Sequence, residues 1–172
     1  QRHCVVVRLK GGDPNLFGRA TEELNACRAA GVTVETVPGI SAGFAAASSL
    51  NDSLTSRGVS RSVTFVTPSI TRGRAEQDMH WAEAAAVAET AVIYMGALQA
   101  ERVRDALMVR GVPANRPVAL LESVSLEGER VVRGKVSDLP ALAAQLGDGP
   151  AIIIVGEAIA EARAAIAEAD AA

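Results

Sequence analysis

Aromatic residues are scarce: one Trp, one Tyr and three Phe make up 3% of the 172 residues. That scarcity argues against a stacking platform for exposed bases. The core must be aliphatic, because Ala, Val, Leu and Ile dominate a chain that is 49% hydrophobic. Cysteine is also rare. Cys4 and Cys27 form no CxxC pair and have no His nearby, which argues against zinc or a disulfide framework and for two buried free thiols in a reducing compartment. The net charge of −3 comes from interspersed charges, and no run of basic residues is present to track a phosphate backbone, so nucleic acid is a poor partner. No stretch approaches ~18 uninterrupted apolar residues, and the opening QRHCVVVRLKGG lacks the apolar core and cleavage site of a signal peptide. The expected setting is cytoplasmic, away from membranes. The chain starts without Met and enters an apolar run almost at once, which is read as truncation.

Catalytic side chains are thin as well. His3 and His80 are isolated, and no Ser, His and Asp constellation or carboxylate pair stands out, so hydrolytic chemistry has no support. No metal site is expected, and no residue is designated as a catalytic acid or base.

What is present is an alternation of apolar runs and helical periodicity. Residues 4–9 (CVVVRL) are a continuous apolar run of the kind a buried parallel strand needs, and GGDPN follows directly. Helical spacing of Ala20, Leu24 and Cys27 then runs to a stop at Gly31, and 33–37 (TVETV) reads as a second strand. Pro38 and Gly39 end it, and Ser41 can cap a small-residue helix, AGFAAASSL. Residues 51–61 are polar and unperiodic and are taken as a linker between an N-terminal lobe, 1–50, and a C-terminal lobe, 62–172. The second lobe offers strands at 63–67, 91–95, 118–122, 129–136 and 151–156, with helices around WAEAAAVA, up to Gly111 and at LPALAAQL. The expected fold is therefore α/β, with a parallel first sheet and about five strands in a mixed second sheet, since the short connection after 118–122 suits an antiparallel neighbour. The Ala-rich tail after Ala158 reads as a fraying helix.

Three turns could carry chemistry. Gly11, Gly12, Asp13 and Pro14 follow the first expected strand, at the carboxyl edge where open α/β sheets bind ligands. The glycines admit close approach to backbone, and Asp13 can accept hydrogen bonds from a ligand, although a plain turn with an Asp cap is the bland reading. The sequence is neither a dinucleotide fingerprint nor a P-loop. Residues 38–42 (PGISA) form a second turn expected on the same edge. Tyr94, Met95 and Gly96 end a strand in the second lobe, where a polarizable Met could border a flat ring or simply belong to the core. Their concurrence at strand ends suggests one cleft. Arg57 and Arg61 lie in the linker and could face an acidic substrate or water.

VVVRLKGGDPNLFGR, followed by a helix and VETVPGISA, resembles the uroporphyrinogen-III C-methyltransferase family of tetrapyrrole methylases. The resemblance continues in order through LTSR (54–57), SVTFVT (62–67), AVIYMG (91–96), PVALLE (117–122), VVRGKVSDL and PAIIIVG (150–156). It implies a two-lobed homodimeric enzyme lacking its N-terminal portion here, with S-adenosylmethionine bound between the lobes and S-adenosylhomocysteine as product. The implied reaction is methyl transfer to C2 and C7 of uroporphyrinogen III, giving precorrin-2 for sirohaem and cobalamin synthesis. Carried over by position, the cofactor contacts are Gly11, Gly12, Asp13, Leu16, Ser41, Ala42, Met95, Ala119 and Ala151. Arg57 is the candidate for a substrate carboxylate.

The sequence departs from the family pattern in places. Ser56 and Ser69 stand where the family commonly has His, and Val124 with Ser125 replaces its usual GT. Two alternatives stay open: a related precorrin methyltransferase, and a non-catalytic fragment that keeps only a dimerising lobe.

Overall fold

The computed structural model describes residues 5–69 and 79–160. The readings made for His3, for Cys4 and for the tail beyond residue 160 lie outside the described residues. The chain divides into two units, Gln1–Ala42 and Gly43–Ala172. The linker expected at 51–61 falls inside the second and stays a proposal as a lobe boundary.

In the first unit, helix α1 (Ala20–Ala29) has Glu22 and Glu23 in its first turn and Arg28 in its last, matching the helix dipole at both ends. It stops as the sequence implies. Gly31 adopts φ +66°, its N–H reaches Arg28 O at 3.1 Å, and Val32 N–H reaches Cys27 O at 2.9 Å, the paired bonds of a Schellman end. Cys27 is only partly buried, so the expected buried thiol is corrected.

The two strands expected in this unit do not form among the described residues. Residues 5–10 and 32–40 carry no strand, and Val5, Val6, Val7 and Leu9 stand about four-fifths exposed. The parallel first sheet is therefore corrected. Apolar composition alone does not make a strand: the backbone groups need a ladder partner, and no ladder joins these two segments.

The second unit holds the core. After α2 (Ala42–Leu50) come β1 (Val63–Val66), α3 (His80–Val87), β2 (Thr90–Tyr94), α4 (Ala100–Val109), β3 (Pro117–Glu122), β4 (Arg130–Lys135), α5 (Leu139–Ala143) and β5 (Ala151–Gly156). The five strands lie in the order β1-β2-β5-β3-β4. β1 and β2 are parallel, and the other pairs are antiparallel, so the mixed sheet is as expected. β5 lies in the middle and is buried almost throughout. Coverage on both faces is what its continuous run AIIIVG requires.

One face presents Val66, Ile93, Val118, Leu120, Ile153 and Val155 to Ala85 of α3, Val103 and Leu107 of α4, and Leu139 and Leu142 of α5. Each such aliphatic side chain contributes about 1.5–3 kcal/mol on burial, which makes this layer the main source of stability. The other face carries Phe65, Val92 and Tyr94, which lie against Gly43 in the first turn of α2. β4 is an edge strand, and its Arg130 and Lys135 are exposed charges that discourage pairing with another chain. Among the described residues, no helix is long and apolar enough to cross a membrane.

Candidate functional site

In the first unit, the two glycine turns meet. Gly12 has φ +81°, a conformation that favours glycine, and a Cβ there would lie 3.5 Å from Ile40 O, 3.7 Å from Ser41 Cα and 3.8 Å from Ala42 N. Gly39 is tighter: a Cβ would lie 2.4 Å from Gly12 O. The carboxylate of Asp13 ties the turns together, accepting the Asn15 N–H at 2.8 Å through Oδ1 and the Gly39 N–H at 3.0 Å through Oδ2. The Gly39 N–H, and then that of Asn15, hold the Asp13 carboxyl below its ordinary pKa.

Asp13 thus spends hydrogen-bond capacity on the backbone, as the plain-turn reading has it, and the reach to Gly39 across the second turn is what the sequence did not indicate. The geometry joins Gly12, Asp13, Ser41 and Ala42 in one loop pair. Leu16 sits in the following turn, its N–H 3.4 Å from Asp13 O. Gly11 is exposed, with nothing within 4 Å of a Cβ position, so its backbone is open to a ligand. These turns do not follow strands, which corrects the strand-end placement.

The remaining candidates lie in the second unit. Met95 follows β2 directly, half-exposed and with φ +55°, uncommon for a residue with a side chain. In the β2/β5 register Tyr94 pairs with Ile152, and in the β3/β5 register Glu122 pairs with Ala151. Met95 and Ala151 therefore share one edge of the sheet. Ala119 does not: it is fully buried in mid-strand, between Arg133 of β4 and Ile154 of β5, about 10 Å along the strands from Ala151. Arg57 is exposed in a tight turn, closed by Ser56 N–H to Ser60 O at 2.9 Å and Ser60 N–H to Ser56 O at 2.8 Å.

Glu122 escaped the sequence reading. It is 4% exposed, and its carboxylate accepts the N–H groups of Gly147 at 2.8 Å and Gly149 at 2.7 Å. It therefore holds the loop that feeds Ala151 into β5. The available signal was a carboxylate closing the apolar run VALLE, with a solvent-poor strand end as its only setting. The Gly147 and Gly149 amides, then the charge of Arg130, lower its pKa below the usual 4.5. A depressed folded pKa means that the ionised latch stabilises fully above that usual value and is lost as pH falls through the folded one. Urea midpoints of the unmodified chain and Glu122→Gln, measured from neutral pH down to about pH 3, should converge on acidification. A constant gap would show that the charge is immaterial.

Comparison with known proteins adds a second line. Residues 1–140 match the family described as Tetrapyrrole (Corrin/Porphyrin) Methylases. A uroporphyrinogen-III C-methyltransferase of Synechocystis sp. is 39% identical over 160 residues, covering 92% of this chain and 61% of that protein. A siroheme synthase of Zymomonas mobilis is 39% identical over 160 residues, covering 91% of this chain and 33% of that protein. The crystal structure of uroporphyrin-III C-methyl transferase from Thermus thermophilus complexed with S-adenyl homocysteine aligns at TM-score 0.79 and 29% identity, over 93% of this chain and 66% of that one. The chain spans about three fifths of the length of the first of these relatives.

Proposed function

The chain belongs to the tetrapyrrole (corrin/porphyrin) methylase family, and from that premise we propose that it acts in S-adenosylmethionine-dependent methylation of uroporphyrinogen III at C2 and C7, giving precorrin-2. The observation that carries this reading is the locked pair of glycine turns, Gly11 to Asp13 and Gly39 to Ala42, in a chain so similar to a uroporphyrinogen-III C-methyltransferase.

The residues present suit the cofactor. Gly11 leaves backbone open, Gly12 keeps the space beside Ser41 and Ala42 free of side chain, and Met95 offers a half-exposed thioether at a strand end. Gly11, Gly12, Asp13, Leu16, Ser41, Ala42, Met95, Ala119 and Ala151 are the residues proposed to hold it. S-adenosylmethionine supplies, when bound, an electrophilic sulfonium methyl. The protein's part is then orientation and exclusion of water, since a nucleophilic pyrrole carbon needs alignment more than a covalent partner. Arg57, exposed and always charged, would receive a substrate carboxylate.

Two copies per assembly and a cytoplasmic setting belong to the same proposal. Leu98 and Val109 stand 99% and 82% exposed, apolar surface that a second copy could cover. A second reading, a chain that keeps the fold without turnover, draws on the exposed Val5, Val6, Val7 and Leu9.

Calorimetric titration with S-adenosylhomocysteine tests the proposal without the unstable porphyrinogen. Saturable binding by the 172-residue chain is expected, weakened about tenfold or more in Asp13→Ala, which removes two hydrogen bonds to a carboxylate. No binding by the folded chain would favour the second reading.

A further inference from the structure

Tyr94 ends β2 and is 8% exposed. Its hydroxyl oxygen accepts the Gly43 N–H at 2.9 Å. That amide is one of those an α-helix leaves unsatisfied at its start, and α2 has its second residue at Gly43. The close approach depends on glycine: a Cβ would lie 2.7 Å from Tyr94 Oη, 2.8 Å from Val92 Cγ1 and 3.3 Å from Phe65 Cε1. The ring is itself held, meeting Phe65 edge-on with centroids 6.4 Å apart at 60°. The next residue is Met95, with its left-handed backbone.

We infer that Tyr94 is a positioning residue for cofactor binding, its hydroxyl fixing the first turn of α2 while its backbone sets Met95. The inference rests on the S-adenosyl cofactor reading above. The action of Tyr94 runs through the two segments it holds, the start of α2 and Met95. Removing the hydroxyl leaves the ring packing in place but releases the helix start, so cofactor affinity should fall while the fold persists.

Tyr94 is the chain's one tyrosine, so a ring-labelled sample reports on it alone by NMR. Titration of the unmodified chain with S-adenosylhomocysteine should shift that signal. A tyrosine that serves packing only would stay put. Tyr94→Phe should keep the circular dichroism of the parent and bind S-adenosylhomocysteine about fivefold more weakly, the size of one neutral hydrogen bond. Gly43→Ala, which displaces the hydroxyl from the other side, should weaken binding too. The double variant should be no weaker than Gly43→Ala, because both changes break the Gly43–Tyr94 contact. Unchanged affinity in Tyr94→Phe, or additive losses in the double variant, would overturn the inference. Absence of binding by the unmodified chain would overturn the cofactor reading itself and this inference with it.

Discussion

Gly39→Ala is expected to abolish detectable S-adenosylhomocysteine binding while the chain's five-stranded sheet still unfolds at its original urea concentration. The added Cβ would lie 2.4 Å from Gly12 O, 3.1 Å from Gly12 C and 3.6 Å from Asp13 Cα. All three are backbone atoms, so no side-chain rotation relieves the clash. The turns must separate. Separation stretches the 3.0 Å bond from the Gly39 N–H to Asp13 and removes the support of Gly12 in its left-handed conformation. Affinity should drop by about a hundredfold or more, since a misplacement near 1 Å is enough to cost that much at a site built on geometry. The core around Ile93, Leu120 and Ile153 contains none of these atoms and should keep its stability. Gly11→Ala is the informative companion. Its Cβ meets nothing within 4 Å, so the protein should accept it, and any loss of affinity would report a ligand at that backbone. If Gly39→Ala binds as the unmodified chain does, the loop pair is not the site.

Much of the second unit was legible because its strands carry their environment in their composition. AIIIVG reads as a strand from its apolar run and becomes β5, the central strand, and the short connection from 118–122 to 129–136 gives the antiparallel pair β3 and β4. The same reasoning misread 4–9 and 33–37. The run 4–9 is strongly apolar and 33–37 is rich in β-branched residues, but a strand exists only with a partner, and a single segment does not encode whether one is there. The candidate site divides in the same way. Turn chemistry exposed Gly12, Gly39 and Ser41, because glycine and small polar residues mark unusual backbone locally. Roles that depend on distant partners were hidden. Glu122 meets amides 25 and 27 residues away, and the Tyr94 hydroxyl meets one 51 residues away. Asp13 reads with two roles open, a ligand contact or a plain turn cap, and its oxygens accept the Asn15 and Gly39 amides; nothing in GGDP distinguishes a carboxylate that binds a ligand from one that binds its own chain.

Arg133 hides a longer reach, and its removal should give the largest loss of stability of any surface-adjacent change. Helix α2 ends in a Schellman arrangement, with Asn51 at φ +54°, Asn51 N–H to Ser48 O at 3.0 Å and Asp52 N–H to Ala47 O at 3.0 Å. That turn places the Asp52 side chain where it is 5% exposed, 2.8 Å from Nη2 of Arg133. The same guanidinium donates to Leu50 O at 3.2 Å and, through Nη1, to Ile159 O at 2.8 Å. One side chain of β4 therefore satisfies a buried carboxylate, a terminal carbonyl of α2 and the turn after β5, with a positive charge at the negative end of the helix dipole. Arg133→Ala leaves Asp52 buried without its counter-charge, and breaking a buried pair on one side costs about 3 kcal/mol. For a chain of this length that corresponds to a fall in Tm of about 6–12 °C, read by circular dichroism. Arg133→Lys should recover little, because a point charge on a flexible stem does not reproduce a fork that reaches three acceptors. Combining Arg133→Met with Asp52→Asn should recover part of the loss, since the stranded charge is then gone. A melt of Arg133→Ala within about 2 °C of the parent would mean that water replaces the guanidinium at no cost, and that the end of α2 is held by its own Schellman bonds alone.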